Sequence, residues 1–268
     1  MQTENPGGEA PKIDTSVPHP ARRYDYWLGG KDNFAADRES GDAIAAKFPG
    51  IRTAVVENRR LLRRAVTHLA GEAGIRQFLD IGTGLPTANN THEVAQLIAP
   101  ESRIVYVDND PLVLAHARAL LTSSAEGRTA YLDADVRRPE AILKSREVAD
   151  TLDLSRPVAL LLFAVLHFVT DDEDPYGVVK RLVAALPPGS WLVMSHATAD
   201  WLPPEAAAMI QSGKHGAGRL RDRDEFARFF DGLDLAEPGV VPLAEWRAEG
   251  EPPPAAEVSM YAAAGRIR

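Results

Sequence analysis

From residue 76 onward, short apolar runs alternate with stretches in which apolar residues recur every three or four positions. Runs at 76–81, 103–108, 129–133, 158–163 and 190–195 predict strands, and segments at 90–98, 111–121, 139–149, 174–186, 203–212 and 223–230 predict helices. Two further runs, near 233–242 and 257–264, bring the strands to seven, with Pro252-Pro253-Pro254 in the connection between them. Val158 to Phe163 is apolar at every position, as a strand buried on both faces requires. Pro111 suits a first helical turn, and Pro187-Pro188-Gly189 is a strong stop. This alternation predicts an α/β fold with a mostly parallel, seven-stranded sheet covered by helices on both faces.

The chain before residue 76 reads differently. Residues 1–20 are rich in Pro, Gly, Glu and Thr and predict a disordered tail. Residues 21–75 predict a helical cap, with helices at 37–48, ended by Pro49-Gly50, and at 52–70. Val55, Leu62, Val66 and Leu69 give the second helix its apolar stripe, and Arg59, Arg60, Arg63 and Arg64 read as a solvated basic face. Ala21 to Phe34 concentrates aromatics, glycines and charges. Gly29-Gly30-Lys31 lacks the upstream glycine and the following Ser or Thr of a phosphate loop.

Composition narrows the class. With 268 residues, 45% hydrophobic and 25% charged, the chain is long enough for one α/β domain that encloses a small-molecule site. The net charge of −8 argues against a general nucleic-acid binder. There is no cysteine, so thiolate metal sites, disulfides and cysteine nucleophiles drop out. No apolar run approaches membrane-spanning length, and residues 1–20 lack a signal-peptide centre, so a cytoplasmic protein without membrane contact is expected.

The candidate chemistry centres on Asp80-Ile81-Gly82-Thr83-Gly84, where a strand passes into a glycine turn. A nicotinamide site needs a third glycine, but Thr87 occupies that position, and Asp80 stands where a diphosphate would approach. A positively charged ligand suits the turn better. Asp108, at the end of the second strand, lies where a ribose-binding carboxylate is expected. Asp80, Gly82, Gly84 and Asp108 together resemble the class I S-adenosylmethionine-dependent methyltransferases. The resemblance implies a Rossmann-like fold and S-adenosylmethionine as cofactor, leaving S-adenosylhomocysteine. It implies that Asp80 and the turn, with Thr83, hold the amino-acid end, and that Asp108, beside Asn109, takes the ribose hydroxyls. It also puts Asp135 and Val136 at the adenine and Phe163 and Ala164 beneath the adenosine. Pro86 replaces a glycine often found in that family's turn.

A narrower resemblance rests on Tyr24-Asp25-Tyr26-Trp27-Leu28-Gly29-Gly30-Lys31-Asp32-Asn33, Ala36-Asp37-Arg38, Asn58-Arg59-Arg60 and Asp133-Ala134-Asp135. These resemble an actinobacterial S-adenosyl methyltransferase family first catalogued as a domain of unknown function. The N-terminal segment is then expected to close over the cofactor as a lid, with Tyr24, Tyr26 and Asn33 near the site.

Methyl transfer needs a base only when the acceptor must lose a proton first. His167, just after the fourth strand, is the leading candidate and His196 the second, although a lone histidine there commonly serves structure. Asp171-Asp172-Glu173-Asp174 reads as a helix cap rather than a metal site, and no metal is expected. The Pro-Pro-aromatic motif of amino-methylating DNA enzymes is missing after the fourth strand. The expected activity is methyl transfer to a small molecule rather than to nucleic acid. The alternatives are a protein that holds the cofactor without turnover and, more remotely, a nicotinamide oxidoreductase.

Overall fold

The computed structural model describes residues 13–120, 122–213 and 218–268. Five parallel strands, β1 (Gln77–Ile81), β2 (Arg103–Asp108), β3 (Arg128–Asp133), β4 (Ala159–Phe163) and β5 (Trp191–Ala197), form most of one sheet. Its order is β3-β2-β1-β4-β5-β8-β6. The last long strand, β8 (Met260–Arg266), lies antiparallel on β5, with Ala197 opposite Met260. The run expected at 233–242 instead gives two short strands, β6 (Asp234–Leu235) and β7 (Val241–Pro242), both paired with β8, so the sheet has eight strands. Glu237-Pro238-Gly239 interrupts the run, because proline has no amide hydrogen to give a ladder.

Side-chain alternation divides the core between the two faces of the sheet. Phe78, Ile104, Tyr106, Leu161 and Val193 face one way, onto helix α3 (Ile51–Gly71). Leu79, Val105, Leu160, Leu162 and Met194 face the other, onto α6 (Pro139–Leu143), α7 (Arg146–Thr151) and α8 (Pro175–Ala184). A single helix expected over 139–149 is thus broken in two at Lys144-Ser145, where Ser145 caps α7 by accepting from the Val148 amide. Leu61, Leu62, Val66 and Leu69 of α3 are at most 5% exposed, each burial worth about 2 kcal/mol. The second half of the expected 21–75 cap is therefore core structure. Its basic face is not uniformly solvated either: Arg64 is buried and donates to the carbonyls of Trp246 and Leu243 at 2.8 and 3.2 Å.

Helices α1 (Pro20–Trp27) and α2 (Ala35–Lys47) precede α3, and α4 (Thr91–Ile98) and α5 (Pro111–Leu120) follow β1 and β2. Leu121, the expected end of α5, lies outside the described residues, as do residues 1–12 of the expected tail. Within the expected tail, Ile13 packs against a small cluster of Leu85, Leu112 and Val113, while residues 14–17 are exposed. The chain is completed by α9 (Pro204–Gln211), α10 (Arg223–Ala227) and α11 (Ala255–Val258). Among the described residues, no helix is long and apolar enough to cross a membrane.

Candidate functional site

A cavity of about 430 Å³ lies along the carboxyl ends of the parallel strands, beneath α1 and α2. Its wall includes Asp80, Gly82, Thr83, Gly84, Asp108, Asn109, Asp135, Val136, Phe163, Ala164, His167 and Tyr24, all singled out from the sequence. Asp80 ends an otherwise apolar strand and is 3% exposed. One carboxylate oxygen accepts from the Thr91 hydroxyl at the start of α4, at 2.6 Å. Burial pushes Asp80 up to about 6, while Thr91 and the positive charge of Arg59 draw it down and Asp108 adds to the rise. No ion pair reaches it among the described residues.

Gly82 and Gly84 hold φ of +77° and +69°, the left-handed region that favours glycine. A Cβ on Gly82 would meet Val165 at 2.7 Å, so that glycine lets the turn after β4 come close. A Cβ on Gly84 would meet no protein atom within 4 Å. Its open side borders the cavity. The Gly84 amide donates to Asp108 at 2.8 Å, and the Asp110 amide donates to the other Asp108 oxygen at 3.0 Å. Burial nevertheless raises Asp108. An ionised carboxylate offers about four acceptor sites, so two remain for hydroxyl donors.

Asp135 accepts from the Arg137 amide at 2.9 Å, from the Arg137 guanidinium at 3.0 Å and from Asn109 Nδ2 at 3.2 Å. Burial would raise it, but these donors together hold it below the usual range. Asp133 is exposed at the end of β3 and takes no part in the cavity wall. After β4, Ala164 adopts φ +54°, a strained value for a residue with a Cβ. Ser195 accepts its amide at 2.9 Å and donates to Asn58 of α3 at 2.6 Å. Asn58 in turn donates to the Tyr24 hydroxyl at 3.0 Å, and Tyr24 donates to the Val55 carbonyl at 2.9 Å. This chain ties α1, α3 and β5 to the turn that floors the cavity.

Two expected residues are not brought to the cavity. Tyr26 packs over Gly41 and donates to Asp42 at 2.8 Å. Asn33 donates to Asp25 at 2.8 Å and to the Gly30 carbonyl at 3.1 Å, pinning the Gly29-Gly30 turn. Trp27 lines the cavity in place of Tyr26. His196 also lies away from the wall. It bonds the Ala197 carbonyl through Nδ1 at 2.7 Å and meets Arg221 at Nε2 at 3.0 Å, which fixes it as a neutral structural ring. His167 does line the cavity, but burial, then Arg221 and Arg23, push it down to about 3. Its Nδ1 is buried with no hydrogen-bond partner. A neutral imidazole that weakly basic is a poor proton acceptor at neutral pH. The acidic run after it is fully engaged in structure. Asp171 receives Arg219 and Arg221, Glu173 receives Arg137, and Asp174 caps α8.

Sequence reasoning missed Asn58, Arg59, Arg23 and Trp27. Asn58 continues the stripe of Ile51, Val55 and Leu62, so a polar residue at a helical core position was the available signal. Arg59 donates to the carbonyls of Ala88 and Asn89, both at 3.2 Å, and so braces the loop after the glycine turn.

The geometry suits a ligand with a cationic amino group for Asp80 and a pair of adjacent hydroxyls for Asp108. Two buried acids beside the turn oppose a diphosphate. The profile of a family described as S-adenosyl methyltransferase matches residues 6–268. A DUF574 family protein from Streptomyces avermitilis is 48% identical with a TM-score of 0.93, covering 96% of this chain and 100% of that one. A candidate methyltransferase from Thermobifida fusca is 44% identical with a TM-score of 0.86, covering 96% and 98%. At fold level alone, magnesium protoporphyrin IX methyltransferase from Synechocystis, with bound S-adenosylhomocysteine, matches with a TM-score of 0.53 at 11% identity, covering 92% and 93%. No match is found among curated protein sequences.

Proposed function

The chain belongs to the S-adenosyl methyltransferase family, and from that premise we propose that it transfers a methyl group from S-adenosylmethionine to a small-molecule acceptor held in the same cavity. The observation that carries this reading is the pair of buried acids beside an open glycine: Asp80, with no ion pair among the described residues, and Asp108, which accepts from the Gly84 amide and has acceptor sites to spare. The donor, when bound, supplies a methyl carbon on a sulfonium, which an acceptor lone pair attacks as the carbon–sulfur bond breaks and its electron pair stays on sulfur.

In this proposal Asp80 pairs with the amino group of the donor, and Gly82, Thr83 and Gly84 admit its backbone-like end. Asp108 accepts from both ribose hydroxyls, with Asn109 beside it. Asp135 and the Val136 amide meet the adenine, and Phe163 and Ala164 lie under the adenosine. Tyr24, held by Asn58, closes the site from α1. The protein's remaining task is to align donor and acceptor and to exclude water. His167, neutral and weakly basic, fits a hydrogen-bonding role at the cavity wall better than that of a general base. The negative net charge and the largely apolar cavity support a small acceptor over nucleic acid.

Calorimetric titration of ligand-stripped protein with S-adenosylmethionine, S-adenosylhomocysteine and NAD in parallel tests the donor assignment. Binding of the two adenosyl-sulfur ligands alone is expected. Binding of NAD alone would overturn it.

A further inference from the structure

The glycine turn after β1 offers a ligand carboxylate little. The amides of Gly82 and Thr83 donate to the Val107 carbonyl at 2.8 and 3.2 Å, that of Gly84 to Asp108 at 2.8 Å, and that of Thr87 to Asn90 at 3.2 Å. Pro86 has no amide hydrogen. Among residues 82–87 this leaves the amide of Leu85. One neutral donor does not balance a negative charge beside two buried acids, Asp80 and Asp108. In the proposed complex the donor's amino-acid end nevertheless brings a carboxylate to this turn along with its amino group, so a cation is needed from another element.

Helix α3 supplies one. Of its four clustered arginines, Arg60 pairs with Glu57 at 2.6 Å, Arg63 pairs with Glu249, and Arg64 lies 4.0 Å from Glu57. Arg59 has no ion pair among the described residues. The other basic groups of the cavity wall are balanced: His19 meets Asp110, Arg23 is offset by Asp37, and Arg137 is held by Asp135 and Glu173. Arg59 Nη2 donates to the Ala88 and Asn89 carbonyls, which fixes the guanidinium without neutralising it, and its Nε is buried with no partner. Its positive charge draws down both Asp80 and Tyr24, which line the same cavity.

Resting on the donor assignment above, we propose that Arg59 and Asp80 form one subsite for an α-amino-acid zwitterion, in which Arg59 takes the donor's carboxylate while Asp80 takes its ammonium. The two side chains reach the cavity wall from α3 and β1 with opposite charges, and they form no ion pair with each other, so both charges stay available to a ligand. A guanidinium binds a carboxylate through strong, charge-assisted hydrogen bonds. A ligand with both charges leaves the subsite balanced. An amine without a carboxylate leaves Arg59 uncompensated, and a carboxylate without an amine faces Asp80. The subsite therefore selects the intact amino-acid chain of the donor against its decarboxylated form and against methylthioadenosine. Arg59 also braces the loop at Ala88 and Asn89, so its test has to separate direct contact from bracing.

Calorimetry compares three ligands at about pH 8, where Asp80 is ionised with or without Arg59. They are S-adenosylhomocysteine, its decarboxylated analogue, which keeps the amine, and methylthioadenosine, which has neither group. Wild-type protein is expected to bind S-adenosylhomocysteine about thirtyfold tighter than the decarboxylated analogue. Arg59→Gln should bring S-adenosylhomocysteine down to the level of that analogue. The analogue, with no carboxylate to lose, should bind Arg59→Gln at least as well as wild type. Arg59→Lys, which keeps the charge but not the planar fork, should fall between. If Arg59 only braces the loop, Arg59→Gln weakens all three ligands alike, and that outcome overturns the proposal. So does equal wild-type affinity for S-adenosylhomocysteine and the analogue, or a preference that survives in folded Arg59→Gln. If Arg59→Gln does not fold, an undiminished preference in Arg59→Lys overturns it. Failure of all three ligands to bind wild-type protein would instead sink the donor assignment itself.

Discussion

The backbone amide of Gly84 donates to the carboxylate of Asp108 at 2.8 Å, so the glycine turn after β1 and the acid at the end of β2 are one unit. Asp108 thus has two tasks: it shapes the turn, and in the proposed complex it accepts from the ribose. Asp108→Ala removes both. S-adenosylhomocysteine affinity should fall about a hundredfold or more, as expected for losing two hydrogen bonds to a charged group. Asp108→Asn keeps a shorter list of acceptors and should fall between. Calorimetry on both variants, with circular dichroism to establish that they fold, checks this. Unchanged affinity in Asp108→Ala would remove the ribose assignment.

The two glycines of that turn should fail in different ways. An Ala at Gly82 would drive its Cβ to 2.7 Å from the branched side chain of Val165, at an already left-handed φ. Val165 cannot swing aside without moving the strained Ala164 beside it, so Gly82→Ala should lower the denaturant midpoint markedly. Gly84→Ala meets no protein atom and carries only the backbone cost of about 1–2 kcal/mol. It should fold, yet bind S-adenosylhomocysteine poorly, because the added methyl enters the space assigned to the ligand. Full binding by Gly84→Ala would show that the ligand does not approach there.

Asp80 gives the site a pH signature. Its folded value, about 6, lies above the ordinary carboxylate range because burial disfavours the charge. A raised folded value means that the ligand-free protein is favoured by protonation. The benefit is full below about pH 4 and is lost as pH rises through about 6. Asp80→Asn should therefore be more stable than wild type above pH 6, with the gap closing toward pH 4. Ligand binding runs the opposite way. A cationic amino group needs Asp80 ionised, so S-adenosylhomocysteine affinity should weaken about tenfold per pH unit below that value. Asp80→Asn should bind weakly with no such slope. A flat wild-type affinity profile between pH 5 and 7 would sink the pairing.

Much of this arrangement was legible in the sequence, and the misses have local causes. The five parallel strands announce themselves as short apolar runs between helical stretches, most clearly at Ala159 to Phe163, which is buried on both faces and has no polar position. The carboxylates at the ends of the first two strands, Asp80 and Asp108, line the cavity, whereas Asp133 at the end of the third is exposed and does not. Tyr24 and Tyr26 were harder. They stand two apart on α1, so they point to different sides, and Trp27, three beyond Tyr24, shares its face instead. Reading the segment as a helix would have exchanged Tyr26 for Trp27. Asn33 lies beyond the end of α1, where its side chain serves the turn. His196 is set by strand parity: Ala197, one residue on, faces the cavity, while His196 packs toward Phe226 and Phe229. Residues 13–20 of the expected tail touch the rest of the fold through Ile13 and His19, and this was not legible because the partner of His19, Asp110, lies far away in sequence.

That partner supplies the last prediction. Arg22 reaches Asp110 with two donors at 2.8 and 3.0 Å, and His19 Nδ1 approaches the same carboxylate at 3.1 Å. Asp110 follows Asp108 by two residues, so the pair fastens the start of α1 to the loop that carries Asp108. Burial would raise Asp110, but the His19 and Arg22 bonds outweigh it and hold the carboxyl well below its usual range. The sign is opposite to that of Asp80. A depressed folded value contributes stability above about pH 4, lost as pH falls below it. Removing one member of a buried pair strands the other, at a typical cost of about 3–5 kcal/mol. Asp110→Asn should accordingly be several kcal/mol less stable than wild type at neutral pH, and that gap should shrink as the pH is lowered past 4, where the unfolded wild-type chain takes up a proton that the folded carboxylate refuses. Guanidinium midpoints for both proteins across the acid range measure it. A gap that stays constant through the acid range would mean that the carboxylate charge of Asp110 is not what fastens α1.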